Sequence, residues 1–232
     1  MVQPTAAQVK AFRRSYVSLP ITFAVMALLL FLPAGTLDWP LGWLFLIAFT
    51  TAMVIAVAVM WRVNPEIFVA RSRVQPGTRK LDYLFIAIVV GAIAAILPVA
   101  GLDFRFGWTH MPGWVVALGY GIFALGFAGS IWAPAVNRHF EPGVRIQSDR
   151  GQTVIDFGPY AIVRHPGYAA AAILVIGMAL SLGSWWALVP ALIAIMGSVP
   201  RTLFEERVLD AGLPGYRAYK QRVKYRWIPG VW

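Results

Sequence analysis

The residues best suited to chemistry lie in the C-terminal part of the chain, where Arg201, Glu205 and Glu206 follow an apolar run. Arg201 and Glu205 stand four residues apart and so share one helix face, whereas Glu206 points elsewhere. A carboxylate can accept charge-assisted hydrogen bonds from an ammonium group, and an arginine can hold an anion but cannot act as a base. This spacing predicts either a site for a charged ligand or a surface ion pair worth about 0–1 kcal/mol.

A second group of polar residues occupies positions 136–168, between two apolar runs, and includes Gly158-Pro159-Tyr160 and Arg164-His165-Pro166-Gly167-Tyr168. The residue before each proline is biased to extended geometry, and the β-branched stretch Thr153–Ile155 predicts a short extended segment. The tyrosine rings can stabilise a cation by about 0.5–2 kcal/mol when they are desolvated. A segment of this length without helix periodicity is more often functional than a mere connector.

The elements that must position these residues are membrane helices. Apolar residues make up 59% of the 232 residues and charged residues 13%, far from the soluble norm of roughly 45–50% and 25%. The chain is predicted to be an all-α, polytopic transmembrane helical bundle of about six spans, with a C-terminal helical hairpin. The predicted spans are Tyr16–Leu32, Leu41–Trp61, Tyr83–Leu102, Pro112–Ala135, Tyr168–Leu182 and Ser184–Val199.

The last two spans are shorter than a bilayer core requires, since about 15 residues of helix reach only some 23 Å. We therefore expect this hairpin to be packed within the bundle or to be extended by polar turns. After Pro200 the charged helical pattern predicts that the sixth helix continues or restarts at the membrane surface.

The basic residues predict the topology. Nineteen of the twenty Lys and Arg residues fall in the N-terminal segment, the second and fourth loops and the C-terminal tail, which leaves only Arg105 on the other side. The positive-inside rule then places both termini in the cytoplasm, and a multi-pass protein of a bacterial cytoplasmic membrane is predicted. The net charge of +10 indicates attraction to anionic lipid headgroups and not to nucleic acid.

Composition excludes several kinds of site. The chain has no cysteine, which excludes disulfides, thiol nucleophiles and thiolate metal ligands. His110, His139 and His165 lack the spacing of a helical metal site, so no metal is predicted. The predicted spans contain no charged residue, which argues against a transporter.

The order of the motifs resembles one family, the isoprenylcysteine carboxyl methyltransferases and their bacterial members, which are related to the phospholipid N-methyltransferases. The resemblance runs through Gly158-Pro159-Tyr160, Arg164–Tyr168, an apolar hairpin, Arg201…Glu205-Glu206 and Ile228-Pro229-Gly230. It is specific over Asn137–Trp232 and only generic before that. It implies two parts: four N-terminal spans in residues 1–135, and a methyltransferase core in residues 136–232 made of a cofactor loop, the hairpin and a cytoplasmic tail.

The resemblance also implies a cytoplasm-facing pocket for S-adenosyl-L-methionine, which would leave as S-adenosyl-L-homocysteine. Arg201 matches the arginine that faces the methyl acceptor, and is the predicted catalytic and substrate-binding residue. One departure concerns Ala170, where many relatives have glycine, and a methyl group there is expected to narrow the helix packing or the pocket. The residues that match the family's cofactor-binding positions are Gln147, Gln152, Thr153, Val154, Ile155, Tyr160, His165, Pro166, Gly167, Tyr168 and Glu205.

The expected function is that of an integral membrane methyltransferase that acts on the carboxylate of an isoprenylcysteine-like or other lipophilic acceptor. Its expected partners are membrane lipids and a lipophilic or small-molecule acceptor. Methyl transfer to a small thiol or to a phospholipid amine remains open. A sterol-type reductase, whose relatives are longer, and a non-enzymatic membrane protein are the remaining alternatives.

Overall fold

The computed structural model describes residues 4–72 and 74–232, so that Arg73, counted above among the basic loop residues, lies outside the described residues. The described chain is all-helical and contains no strand in these ranges, which confirms the predicted fold class. Residues 152–156, where a short extended segment was predicted, have neither helix nor strand. The helices are α1 (Ala6–Ala34), α2 (Pro40–Val63), α3 (Glu66–Ala70), α4 (Lys80–Phe106), α5 (Gly113–Val136), α6 (Pro166–Ser181), α7 (Leu188–Gly212) and α8 (Tyr216–Arg222).

Local sequence explains where the long helices begin and end. Thr5 caps α1 by a reciprocal pair of hydrogen bonds with Gln8. Gly35 and Gly107 end α1 and α4 in the left-handed conformation, with φ of 70° and 60°, which glycine adopts without steric cost. Pro40 and Pro166 open α2 and α6, where a missing backbone N–H costs nothing.

Five helices, α1, α2, α4, α5 and α7, are long and apolar enough to cross a membrane. Only 17–33% of the residues in their apolar windows are buried inside the protein, which leaves the rest for contact with lipid, and the protein is an integral, multi-pass membrane protein. Helix α6 has only 16 residues, or about 24 Å, and is the short span that the sequence predicted. Helix α7 differs from the predicted sixth span, Ser184–Val199. It begins at Leu188 and runs without a break through Pro200 to Gly212.

The five long helices and the shorter α6 form a closed ring, in which neighbours touch in the order α1, α4, α7, α6, α5, α2 and back to α1. Every helix of the ring contributes to a single apolar core. Leu30, Phe45, Leu46 and Ile96 in this core have no solvent-exposed surface. The ring therefore gives a rigid frame whose two ends carry the polar residues.

Helices α5 and α6 make the most extensive contact in the bundle, and glycine permits it. A Cβ atom added to Gly119 would lie 2.6 Å from the backbone nitrogen of Ser181, and one on Gly126 would collide with the backbone of Leu174. Small residues at such contacts let helix backbones approach closely in membranes.

Ala170, where many relatives have glycine, lies in this interface. It faces Gly129, on which an added Cβ would stand 2.8 Å from the Ala170 Cβ. Ala170 is absent from the lining of the cavity that contains the predicted site residues. The methyl group of Ala170 therefore lies in the helix packing, against a glycine of α5, and not in the lining of the cavity.

The two ends of the ring differ in charge. One end, called here the basic end, carries Arg62 in the last turn of α2 and Lys80 at the start of α4. Thr5, close to the N-terminus of the described chain, lies near Arg138 at this same end, and the C-terminal tail packs there as well, so both termini of the described chain lie at one end. At the opposite end, Asp103 accepts hydrogen bonds from the backbone and side chain of Thr109 (2.9 and 2.6 Å) and from Ser184 Oγ (2.5 Å).

Candidate active site

A cavity of about 330 Å³ opens at the basic end, between the second and third turns of α4, the first turns of α6, the polar half of α7 and the loop that joins α5 to α6. All twelve residues predicted for the cofactor and acceptor line it, namely Gln147, Gln152, Thr153, Val154, Ile155, Tyr160, His165, Pro166, Gly167, Tyr168, Arg201 and Glu205. The α5–α6 loop and the polar half of α7 are separated in the sequence by α6 and the apolar half of α7. The fold brings them together at this cavity. We call this space the basic-end cavity.

The wall formed by α6 and α7 is joined by a hydrogen bond in which Tyr168 Oη donates to Glu205 Oε2 at 2.7 Å. The ring of Tyr168 is stacked on Trp227 of the C-terminal tail, with 5.8 Å between centroids. Trp227 is fixed in turn because its Nε1 donates to Thr202 Oγ1 at 3.1 Å. The Glu205 carboxylate therefore has a neutral hydrogen-bond donor, and no cation lies within ion-pair distance of it in the described chain.

Arg201 is held by an acid that the sequence reasoning did not select. Its Nε donates to Asp82 Oδ1 at 2.8 Å and its Nη2 to Asp82 Oδ2 at 3.2 Å. The Nη2 group also donates to the carbonyl of Pro142, and the guanidinium lies 5.5 Å from the centre of the Tyr168 ring. Asp82 is fully buried and accepts a further bond from the backbone N–H of Val144, at 2.7 Å. The surface pair of Arg201 with Glu205, considered from their spacing, is therefore not formed.

Glu206 has a different surrounding from that of its neighbour Glu205. It accepts hydrogen bonds from Arg164 Nε at 2.6 Å and from Arg226 Nε at 2.8 Å. His165 Nε2 lies 3.4 Å from the same carboxylate. Glu206 is buried and does not line the cavity, so its carboxylate stabilises the structure behind the cavity wall.

The loop and the tail are also joined through their backbones. Arg164 Nη1 donates to the carbonyls of Val223 and Lys224, at 2.8 and 2.7 Å. The backbone N–H groups of Arg164 and His165 donate to the carbonyls of Tyr225 and Arg226, both at 2.9 Å. Residues 223–227 form a strap behind the His-Pro turn, and this strap is kept in place by Glu206.

The glutamines predicted to contact the cofactor are bonded within the loop. The Gln147 amide nitrogen donates to the carbonyl of His139 at 2.7 Å, and its oxygen accepts from Arg150 at 3.0 Å. Gln152 Oε1 accepts from the backbone N–H of Gln147 at 2.8 Å. Both side chains shape the loop that lines the cavity, while their contact with a cofactor stays a prediction.

Three tyrosines of the cavity are buried and act as neutral groups. Asn137 Nδ2 donates to Tyr160 Oη at 3.0 Å, and Tyr219 Oη donates to the carbonyl of Tyr160 at 2.8 Å. Burial raises the pKa of Tyr160, of Tyr216 and of Tyr219. Their hydroxyl groups therefore keep their protons near neutral pH and can donate hydrogen bonds.

Sequence reasoning missed four residues of this region: Arg71, Asp82, His139 and Tyr216. Arg71, His139 and Tyr216 line the cavity, and Asp82 holds Arg201. The buried Nδ1 of His139 and Oη of Tyr216 have no hydrogen-bond partner within the described residues, whereas His165 Nε2 lies near Glu206. Buried polar atoms are rarely left unpaired, so two such atoms at one cavity indicate a site for a polar ligand. No signal in the sequence marked Asp82 or Arg71, because neither lies near a motif.

The described residues contain no group of three or more His, Asp or Glu side chains that could hold a metal ion. The lining of the cavity instead provides carboxylate, guanidinium, imidazole and phenol groups and several aromatic rings. This set can bind a ligand that carries both charges and hydrogen-bonding groups.

Comparison with known proteins gives one family. Residues 114–213 match the family model of phospholipid methyltransferase, a family that includes the isoprenylcysteine carboxyl methyltransferases. The match begins in the first turn of α5 and ends just after α7, so it contains all twelve predicted site residues. The comparison with curated proteins gave no match. The matched region indicates a membrane methyltransferase.

Proposed function

We propose that this protein is an S-adenosyl-L-methionine-dependent methyltransferase whose cofactor occupies the basic-end cavity. The observation that carries the proposal is the convergence of the twelve motif residues on one cavity, inside the segment that matches a methyltransferase family. The basic end faces the cytoplasm in this proposal, where a soluble cofactor is available and the excess of Lys and Arg is expected. Anionic headgroups of the same leaflet then lie against the basic loops.

The residues present fit this cofactor. The Glu205 carboxylate, which has no cationic partner in the described chain, suits the ammonium group of the cofactor's amino acid part. The aromatic face of Tyr160 suits a cationic centre. The unpaired polar atoms of His139 and Tyr216 offer partners for ribose or adenine. The cavity volume of about 330 Å³ lies at the lower end of the usual range for ligand sites, roughly 300–1,000 Å³.

The cofactor supplies a methyl group on a sulfonium sulfur, which is displaced in line by a nucleophile. The chain's part is therefore alignment, and well-aligned reactants can lower a barrier by about 7–11 kcal/mol. Asp82 and the Pro142 carbonyl fix the Arg201 guanidinium, which can then hold an anionic acceptor in line. A carboxylate acceptor is already a nucleophile, so no residue has to remove a proton.

We further propose that the acceptor is the carboxylate of an isoprenylcysteine-like or other lipophilic molecule. The fixed guanidinium of Arg201 at the cavity supports an anionic acceptor. The description of the matched family supports one alternative, methylation of a phospholipid amine. A small thiol is a third acceptor that an alignment mechanism would allow.

The cofactor part of the proposal is tested by binding of radiolabelled S-adenosyl-L-methionine to the protein in lipid nanodiscs. We expect saturable binding that weakens at least about tenfold in Glu205→Ala and in His165→Ala, since a hydrogen bond to a charged group contributes about 1.5–3 kcal/mol. Asp38→Ala, an exposed acid at the opposite end of the bundle, is the matched control and should bind as the wild type does. No saturable binding, or equal binding by all four proteins, would contradict the cofactor assignment.

The acceptor part is tested with a panel of N-acetyl-S-farnesylcysteine, phosphatidylethanolamine and methanethiol as methyl acceptors. Turnover of the farnesylcysteine carboxylate, abolished in Arg201→Ala with cofactor binding retained, supports the proposed acceptor. Turnover of only one of the other two would replace it. If a folded Arg201→Ala protein loses both cofactor binding and turnover, the assignment of Arg201 to the acceptor is wrong.

A further inference from the structure

Four of the charged residues that line the basic-end cavity, Glu141, Arg145, Arg164 and Arg201, have an oppositely charged partner in the described chain, whereas Glu205 and Arg71 have none. Glu141 pairs with Arg145 at 2.8 Å and with Arg150 at 3.3 Å. Arg164 pairs with Glu206 and Arg201 with Asp82. Arg71 is different: within the described chain its guanidinium has neither an acidic partner nor a side-chain hydrogen bond, and its nearest described contact is the face of Phe140, 5.3 Å from the ring centre.

Arg71 also stands where the cavity meets a second space. A groove of about 460 Å³, here called the apolar groove, is lined by residues of α1, α2, α3, α5 and the start of α6. Met53, Val57, Met60 and Ile131 are typical of its lining. The residues that line both spaces are Arg71, Phe140, Gly167 and Ala171. Arg71 is the only charged residue of the groove lining in the part of the chain that the structure describes.

Arg201 alone gives the cavity little net positive charge, because Asp82 binds it through both carboxylate oxygens. Arg71 supplies the charge that Arg201 lacks. The surrounding protein and then the positive charge of Arg201 lower the pKa of Arg71, yet an arginine remains charged near neutral pH. The two guanidinium groups repel each other, and an anion placed between them would be attracted by both.

We propose that Arg71 is a specificity-determining residue that binds, together with Arg201, the carboxylate of an acceptor whose hydrocarbon chain lies in the apolar groove. This inference rests on the proposed function and narrows its acceptor to amphiphiles with an anionic head directly attached to the apolar part. The groove takes the chain because it is apolar and continuous with the cation at the junction. A neutral amphiphile would leave two guanidinium groups without an anion.

The reaction at this site is balanced without a proton. One carboxylate oxygen forms the new bond to the methyl carbon, the bond from that carbon to sulfur breaks, and its electron pair remains on sulfur. The acceptor loses its negative charge and the sulfonium loses its positive charge, so that a neutral methyl ester and a neutral thioether result. The methyl ester no longer carries the negative charge that Arg71 binds. We therefore expect the ester to bind more weakly than the carboxylate substrate.

The test compares Arg71→Gln, Arg71→Lys and the control Arg217→Gln, an exposed arginine of α8 at the same end of the bundle and outside both spaces. Each protein is studied in nanodiscs, with radiolabelled N-acetyl-S-farnesylcysteine binding to the S-adenosyl-L-homocysteine-saturated protein as the first measurement. The carboxamide of the same molecule is the matched neutral competitor. Cofactor affinity and thermal stability are measured on the same samples.

We expect Arg71→Gln to weaken binding of the carboxylate acceptor by about tenfold or more, and to raise the KM for this acceptor by a similar factor. Cofactor affinity should stay unchanged within about twofold. Arg71→Lys should keep part of the affinity, and Arg217→Gln all of it. The carboxamide should compete poorly against the wild type and about as well as the carboxylate against Arg71→Gln. Stability should fall by no more than about 1 kcal/mol, because the guanidinium has no ion-pair partner in the described chain and loses only its contact with the Phe140 ring.

Two results would overturn the inference: carboxylate binding that does not depend on Arg71, or a loss of cofactor affinity in Arg71→Gln as large as the loss of acceptor affinity. The second result would assign Arg71 to the carboxylate of the cofactor. Because binding to the homocysteine-bound protein is measured without turnover, these outcomes are separate from a failure of methyl transfer, which would count against the proposed function itself.

Discussion

Helices α5 and α6 are held together by backbones in close contact, whereas the basic-end cavity is walled by buried ion pairs between segments far apart in the sequence. In the first region, glycines such as Gly126 allow the α6 backbone to approach, and dispersion over many atoms stabilises the pair. In the second, Glu206 and Asp82 join α7 and α4 to arginines of other segments. The first kind of contact sets the shape of the frame, and the second sets the position of the groups that can do chemistry.

The largest effect is expected from breaking an ion pair in the second region. Glu206→Gln leaves the buried Arg164 without its acid, and removal of one partner of a buried pair typically costs about 3–5 kcal/mol. We expect a large fall in thermal stability, read by the loss of monodisperse protein on heating in detergent.

The neighbouring variant Glu205→Gln is the control for this prediction. Its carboxylate accepts one hydrogen bond from Tyr168, so stability should change little while cofactor affinity falls. An equal loss of stability in both variants would show that the two glutamates do not differ in the way the contacts indicate.

An intermediate effect is expected in the first region. Gly126→Ala places a methyl group against the Leu174 backbone, and such overpacking typically costs about 1–3 kcal/mol. Gly121→Ala on the same helix has nothing within 4 Å of the added Cβ and serves as the control. Thermal stability should fall only in the first variant, and equal stability of both would contradict the close contact of α5 with α6.

The smallest effect concerns pH. Burial, followed by the positive charges of Arg138 and Arg150, lowers the pKa of His139 below its usual value of 6.5. The folded protein then binds fewer protons at this site than the unfolded chain, so stability is complete above pH 6.5 and falls as the pH drops through that value. His139→Gln should flatten this dependence between pH 7 and pH 5, which thermal unfolding at several pH values would measure. An unchanged slope would contradict the role of His139.

Much of the frame followed from the sequence, because apolar runs and the positions of Lys and Arg report on the bilayer directly. The end of the last helix was harder to predict, since Pro200 allows either a break or a continuation, and packing against α4 and α6 favours the continuation. The site was predicted wherever residues belong to ordered motifs. Asp82 could not be predicted because it lies 119 residues from Arg201, and no local pattern reports a contact across the ring.

The two adjacent glutamates show the same limit at closer range. Their spacing on a helix indicates that they face different ways, but only the fold determines that Glu205 reaches the cavity and Glu206 reaches Arg164. The local pattern predicted the difference in direction and could not predict its consequence.

The strap of residues 223–227 has a consequence for how the protein is made. Every residue predicted to bind the cofactor has been incorporated once synthesis reaches Glu205, yet at that point the backbone of His165 still lacks the carbonyl of Arg226, and Tyr168 still lacks the ring of Trp227. A nascent chain that ends before the strap therefore carries all the ligands of the cavity without a finished wall. The capacity to bind should therefore arise late, only after the strap has been synthesised and has packed against the His-Pro turn.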